Sequence, residues 1–180
     1  MNAIEKHRAM LLIGAFGALF AAGCQSGPQP LETVQYVDLE RFMGDWYVIA
    51  NIPTVLERGA HNAVESYRLD EDGTIATTFS FRKDGFDGPE KEYNPRGFVR
   101  NTESNAHWGM QFVWPIKADY KIIWLDDDYS LTVIGRDARD YVWIMARTPQ
   151  VPESDYSRLK TFVADSGYDT SDLVKVPQSW

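Results

Sequence analysis

Between Trp46 and Arg147, apolar and polar side chains alternate with a period of two in short runs, each bounded by turn-forming residues. Successive residues of a strand face opposite sides of a sheet, so this pattern predicts strands with one face turned toward an interior. Eight runs fit, at about residues 45–52, 62–70, 74–83, 91–101, 106–114, 119–126, 130–136 and 141–147. The connectors Asp70-Glu71-Asp72-Gly73, Lys83 to Pro89, Asn101 to Asn105, Asp126-Asp127-Asp128 and Asp137 to Asp140 supply residues that accept turn geometry. Short strands joined by tight turns are antiparallel neighbours, and eight of them can close on one another and remove exposed edges. Such a barrel has room inside for one small ligand. The predicted fold is all-β, an eight-stranded antiparallel up-and-down β-barrel. After the eighth strand the period changes. Tyr156, Leu159, Phe162 and Val163 recur at helical spacing within Glu153 to Ser166, after Pro152 and before Gly167, which predicts one C-terminal α-helix. Leu173 to Val176 reads as a short final strand.

The alternation also sorts side chains by face. Ile75, Thr77, Phe79 and Phe81 share one face of the third strand, and Trp108, Met110, Phe112 and Trp114 one face of the fifth. Tyr120, Ile122 and Trp124 align on the sixth, and Tyr141, Trp143 and Met145 on the eighth. Ladders of this kind ordinarily build a solid core. The opposite set, Ile123 and Leu125 or Val142 and Ile144, is equally apolar, so which faces point inward stays open at this stage.

The first 24 residues carry a separate message. Lys6 and Arg8 precede an apolar stretch, Ala9–Ala22, that runs into Gly23-Cys24. Fourteen residues at about 1.5 Å each fall short of the roughly 30 Å of a bilayer, and the basic front fits an export signal. Ala21-Ala22-Gly23-Cys24 is similar to the lipobox of bacterial lipoproteins, with Ala21 where that pattern prefers Leu, Val or Ile. Cys24 is the single cysteine, so an exported chain has no internal disulfide to close with it. The similarity implies lipidation of Cys24, and two lipid signals already give stable anchoring. Gln25 stands where Asp would retain a lipoprotein at the inner membrane, and so favours the outer membrane. The expected organisation is a signal peptide over 1–23, a lipidated tether over 24–35 and one domain over 36–180.

The full chain carries 18 Lys and Arg against 26 Asp and Glu, a net charge of −8, with no basic cluster. Nucleic acid is thereby an unfavourable partner, because neutralising phosphates takes concentrated positive charge. The same balance opposes adhesion to anionic lipid through the protein surface, leaving membrane contact to the anchor. Catalytic patterns are missing: there is no Gly-x-Ser-x-Gly elbow, phosphate-cradling glycine loop, His-Glu-x-x-His or Cys-x-x-Cys. Asp126-Asp127-Asp128 lacks the glycine and distal Glu of a calcium loop and reads as a charged turn. His61 and His107 lie on different predicted strands. No metal or cofactor is assigned.

Three separated stations then agree with one family. Gly44-Asp45-Trp46-Tyr47, led in by Asp38-Leu39-Glu40-Arg41-Phe42-Met43, is followed by Asp128-Tyr129 and by Tyr141 to Pro149 with Arg147. In this order and spacing they resemble the lipocalins. Asp38 to Trp46, Glu57-Arg58-Gly59 and Arg139-Asp140-Tyr141 are similar to the bacterial lipocalins and apolipoprotein D, over roughly residues 36–177. The resemblance implies that the C-terminal helix packs outside the barrel and that Arg147 lies across Trp46 at a closed end plugged by Phe42, where Gly44 turns the chain from helix into strand. It also implies a hollow upper interior lined by residues such as Phe79, Phe81, Met110, Phe112, Tyr120 and Trp143. Many relatives have Glu after the Trp-Tyr pair. Val48 occupies that position here, which predicts a more apolar cup without a convergent titratable pair. The implied function is a non-enzymatic carrier that stores or transports a fatty acid or lysophospholipid, held at the periplasmic side of the outer membrane, in envelope stress or membrane maintenance. A lipid- or isoprenoid-directed enzyme, a haem or tetrapyrrole binder through His61 or His107, and a homodimer stay open as alternatives.

Overall fold

The computed structural model describes residues 29–180. Cys24 and the signal segment 1–23 lie outside the described residues. A short helix, α1 (Leu39–Phe42), leads into strands β1 (Gly44–Ile52), β2 (Ala60–Leu69), β3 (Thr74–Lys83), β4 (Glu90–Tyr93), β5 (Arg96–Val99), β6 (His107–Val113), β7 (Ile116–Leu125), β8 (Leu131–Gly135) and β9 (Val142–Ala146). Helix α2 (Glu153–Asp165) and a two-residue strand, β10 (Val174–Lys175), complete the chain. All pairings are antiparallel, in the order β10-β1-β2-β3-β5-β6-β7-β8-β9, with β4 also on β3. Pairing of β1 with β9, Tyr47 opposite Ala146 through Ile52 opposite Val142, closes the barrel.

Two strands lie beyond the eight expected. The predicted fourth strand is broken at Asn94-Pro95 into β4 and β5, since proline has no N–H to give the ladder. The other, β10, is the short final strand expected over Leu173 to Val176, and it pairs with β1 at Ala50 and Asn51.

Burial divides into two layers, as expected for a barrel with a helix on one wall. The inner cluster holds Phe42, Trp46, Val48, Tyr67, Ile75, Phe79, Trp108, Met110, Tyr120, Ile122 and Met145. The outer cluster places Tyr156, Leu159 and Val163 of α2 against Ile49, Ile123, Leu131, Val133, Val142 and Ile144. Gly167, with φ +91°, ends the segment after α2 in the left-handed region that glycine enters at little cost.

Register shifts re-sort some of the ladders. Ile122 pairs with Ile134 but Trp124 pairs with Val133, so Ile123 is an extra residue in β7. A bulge of this kind reverses the alternation beyond it. Trp124 therefore joins the outer cluster, where the Arg158 guanidinium sits 4.9 Å from its ring centroid, and does not share the face of Tyr120 and Ile122. A second shift between Met110 and Val113 loosens the tip of the β6–β7 hairpin, and Trp114 is 82% exposed there, outside the interior.

The segment read as a tether is docked from Leu31 onward. The Leu31 N–H donates to Asp137 Oδ1 (2.7 Å) in the β8–β9 loop, the Val34 N–H to the Ile122 carbonyl (3.0 Å), and the Val37 N–H to the Ser104 carbonyl (2.7 Å). Lys121 Nζ ties the start of this strap down by donating to Asp137 Oδ1 (2.7 Å) and to the Leu31 carbonyl (3.2 Å). The strap starts on the outer cluster at Leu31, beside the β8–β9 loop, and packs Val34 and Val37 on the inner cluster as it approaches α1.

Candidate ligand-binding site

The closed end is built around an arginine. Asp38 caps α1 by accepting from the Arg41 N–H (3.2 Å), and Gly44, with φ +91°, redirects the chain into β1. The Arg147 guanidinium stacks 3.9 Å from the Trp46 ring centroid. Its Nη2 donates to the carbonyls of Arg41 (2.8 Å), Phe42 (3.0 Å) and Met43 (2.9 Å), and its Nη1 to that of Asp45 (2.8 Å). The first three are carbonyls at the end of a four-residue helix, which that helix leaves without backbone partners, and the fourth belongs to β1, so one side chain staples α1 to the strand that follows. Phe42 fills the space above, with its ring 5.0 Å from Trp46 and 5.5 Å from Trp108.

Above this plug lies a cavity of about 180 Å³ that opens at the opposite end, between the β1–β2 loop and the β6–β7 hairpin. Phe79, Met110, Tyr120 and Trp143 line it, and Phe112, half-exposed, lines it near the opening. Phe81 is buried but does not line this space. Its ring packs 5.2 Å from Phe79 and 6.3 Å from Tyr93, and it borders a separate polar concavity near Trp180.

The interior is not uniformly apolar, contrary to the expectation drawn from Val48. Glu65 stands opposite Trp46 across the β1–β2 pair, so it faces the cup diagonal to Val48, and it lines the cavity. The Tyr67 hydroxyl donates to Glu65 Oε2, and the hydroxyls of Tyr67 and Tyr120 are 2.6 Å apart. Burial pushes the Glu65 carboxyl up to about 7, against the bond from Tyr67 and helped by the charge of Glu57. Burial, and then the Glu65 charge, hold both phenols well above their ordinary range. Glu57, from the β1–β2 loop, also lines the cavity, accepting from Trp143 Nε1 (2.6 Å) and from the Thr54 N–H (2.7 Å). The cup thus contains the titratable pair that was not foreseen. One signal was available: Ala63, Glu65 and Tyr67 share a face of the second predicted strand, so whichever face held Tyr67 had to hold an acid.

Arg136, immediately after β8, lines the cavity near its mouth. Its Nη1 lies 3.3 Å from Asp140 Oδ2, while among the described residues its Nε is buried without a hydrogen-bond partner. Neither histidine lines the cavity. His61 Nδ1 is 3.1 Å from the Gly59 carbonyl and its ring packs on Phe86, and His107 Nε2 bonds to Asp119 (2.7 Å). Asp126 and Asp128 accept from the Ser130 N–H, which closes the β7–β8 turn.

With this geometry in view, the family model for a lipocalin-like domain matches residues 37–178. The chain is a lipocalin. This lipocalin is 33% identical over 161 residues to temperature-induced lipocalin-1 of Arabidopsis thaliana, covering 83% of each chain. It is 29% identical over 184 residues to the outer membrane lipoprotein Blc of Escherichia coli K12, covering 95% of this chain and 98% of that one. Apolipoprotein D of Bos taurus is 28% identical over 181 residues, 93% and 94% of the two chains. Among solved structures, insecticyanin from the tobacco hornworm Manduca sexta shares the lipocalin fold at a TM-score of 0.65, with 16% identity over 84% of this chain and 86% of that one.

Proposed function

We propose that this lipocalin is a lipid carrier of the outer membrane, anchored through acylated Cys24 on the periplasmic side, whose cup stores or moves a fatty acid or lysophospholipid. The observation that carries the reading is a largely aromatic cavity closed at one end, with the buried, unpartnered Nε of Arg136 near the other. A hydrocarbon tail suits the aromatic wall, and an anionic carboxylate or phosphate suits a guanidinium with a free donor. The length of the resemblance to Blc, which is named an outer membrane lipoprotein, supports the location.

Volume constrains the ligand. At roughly the 30 Å³ share of a water molecule for each methylene, about 180 Å³ takes about six of them. Burial at about 0.8 kcal/mol each then supplies about 5 kcal/mol. A longer chain gains the rest along the rim, where Leu56, Val113 and Ile116 are exposed. We read the protein as a binder and not an enzyme because Glu65, Tyr67 and Tyr120 are engaged with one another at the blind end of the cavity.

Native mass spectrometry of the protein purified from its own envelope, followed by lipid extraction, should show one fatty acid or lysophospholipid per chain. Calorimetric titration of the delipidated, folded protein should show saturable binding whose gain per methylene falls off once the enclosed volume is filled. Absence of saturable binding to either lipid class defeats the proposal.

A further inference from the structure

Hydrogen bonds on the floor of the cup run in one direction. With Glu65 ionised, Tyr67 gives its proton to Glu65 Oε2 and the 2.6 Å contact between the two phenols is then donated by Tyr120. The indole N–H groups of Trp46 and Trp108 donate to the carbonyls of Phe42 (2.8 Å) and Asn105 (2.6 Å). Trp143 is likewise committed to Glu57. The strong donors around the floor are therefore spent within the wall. What the cavity-lining residues retain there is accepting capacity, the second carboxyl oxygen of Glu65 and a free lone pair on Tyr120, beside one weakly engaged hydroxyl, that of Thr77, 3.5 Å from the Ile75 carbonyl. A methyl group seated against these atoms leaves them without water and without a partner, which is costly.

We infer that this floor recognises a hydroxyl group on the end of the ligand that enters first, so that the cup prefers a chain with a terminal hydroxyl to the same chain ending in methyl. The inference rests on the reading of the protein as a fatty-acid carrier. A hydroxyl donates to an ionised Glu65 and accepts from a protonated one, so it fits both states of a group that titrates near neutrality; an ammonium fits only the first. The two polar poles are also set apart along the cup. From the level of Asn51 and Trp143 near the mouth to that of Trp46 and Glu65 is five residues of β1, about 16 Å at about 3.3 Å each. A molecule with a carboxylate at one end and a hydroxyl at the other engages Arg136 and Glu65 together. The ligand class is an ω-hydroxy fatty acid.

The test compares dodecanoate, 12-hydroxydodecanoate and 2-hydroxydodecanoate by calorimetry on the mature chain carrying Cys24→Ser, stripped of resident lipid. The 12-hydroxy acid should bind at least as tightly as dodecanoate, despite its weaker tendency to leave water, and more tightly than the 2-hydroxy isomer, whose hydroxyl stays at the mouth. In Glu65→Leu the ratio of the two affinities should swing toward dodecanoate by about tenfold or more. If the parent and Glu65→Leu favour dodecanoate to the same degree, the inference is overturned while the carrier reading stands. Should Glu65→Leu fail to fold, the two isomers decide on the parent alone: equal affinities overturn it. Binding of none of the three acids removes the carrier reading and this inference with it.

Discussion

Arg147 does more at the closed end than stack on Trp46. Four backbone carbonyls of Arg41, Phe42, Met43 and Asp45 converge on its guanidinium, and Tyr129 adds a fifth contact at 3.3 Å. Arg147→Ala removes the cation from the indole and strips those acceptors, so a loss of about 2–4 kcal/mol is expected in urea denaturation. Arg147→Lys should recover only a fraction, because a point charge cannot reach acceptors arranged around a planar fork. Equal midpoints for parent and Arg147→Ala would refute the staple. Glu65 makes the opposite kind of prediction. Its carboxyl is raised from an ordinary value of 4.5 to about 7 in the folded protein, so the unfolded chain ionises first. Stability should be full below about pH 4.5, fall as pH rises toward 7, and level off above. The span is 2.5 units, worth roughly 3 kcal/mol at 1.36 kcal/mol per unit. Glu65→Gln should flatten this slope and match the parent at pH 4 while exceeding it at pH 8, as read by thermal or urea melts across that range. Of these two residues only Arg147 was legible beforehand, through the motif that pairs it with Trp46. Glu65 belongs to no motif, and its role follows from a strand face whose inward sense local alternation leaves open.

At the scale of elements, the strands were readable because turn residues punctuate them, and what failed were the places where the ladder slips. Tyr120, Ile122 and Trp124 satisfy a period of two without flaw, yet one extra residue at Ile123 sends Trp124 to the outer wall. A bulge depends on how two strands are paired, and single-strand alternation contains no information about it. A comparable slip in β1, between Val48 and Ala50, turns Ile49 and Ala50 together toward the outer cluster. Helix α2, by contrast, was found within a residue of its limits, since its stripe of Tyr156, Leu159 and Val163 is a local signal. That stripe packs on the barrel wall and touches nothing in the cavity, which separates stability from binding. Leu159→Ala, at a fully buried position, should cost about 2–5 kcal/mol. Lipid affinity of the folded fraction should stay within about twofold of the parent; a large change in affinity would show that the outer layer shapes the cup.

For the whole molecule, closure was foreseeable from eight short antiparallel strands, whereas the content of the cup was not, because hollow and filled barrels share the same alternating pattern. The anchor can be tested apart from the fold. Cys24→Ser removes the only thiol, breaks no disulfide and lies outside the described residues, so the protein should leave the membrane fraction with an unchanged melting temperature. Retention in the outer membrane at unaltered mass would contradict acylation.

The docked strap gives the proposed anchor a direction. It meets the barrel at Leu31, beside the β8–β9 loop at the mouth, and is pinned there by Lys121 and Asp137. Leu31 lies seven positions after Cys24, a leash of at most about 25 Å. If Cys24 is acylated as proposed, the vessel would hang mouth-first over the leaflet, with Arg147 and the plug at the far pole. Under that proposal, exchange between cup and bilayer would become a hop across a thin aqueous film, its rate governed by leash length more than by how much lipid is dissolved in the surrounding fluid.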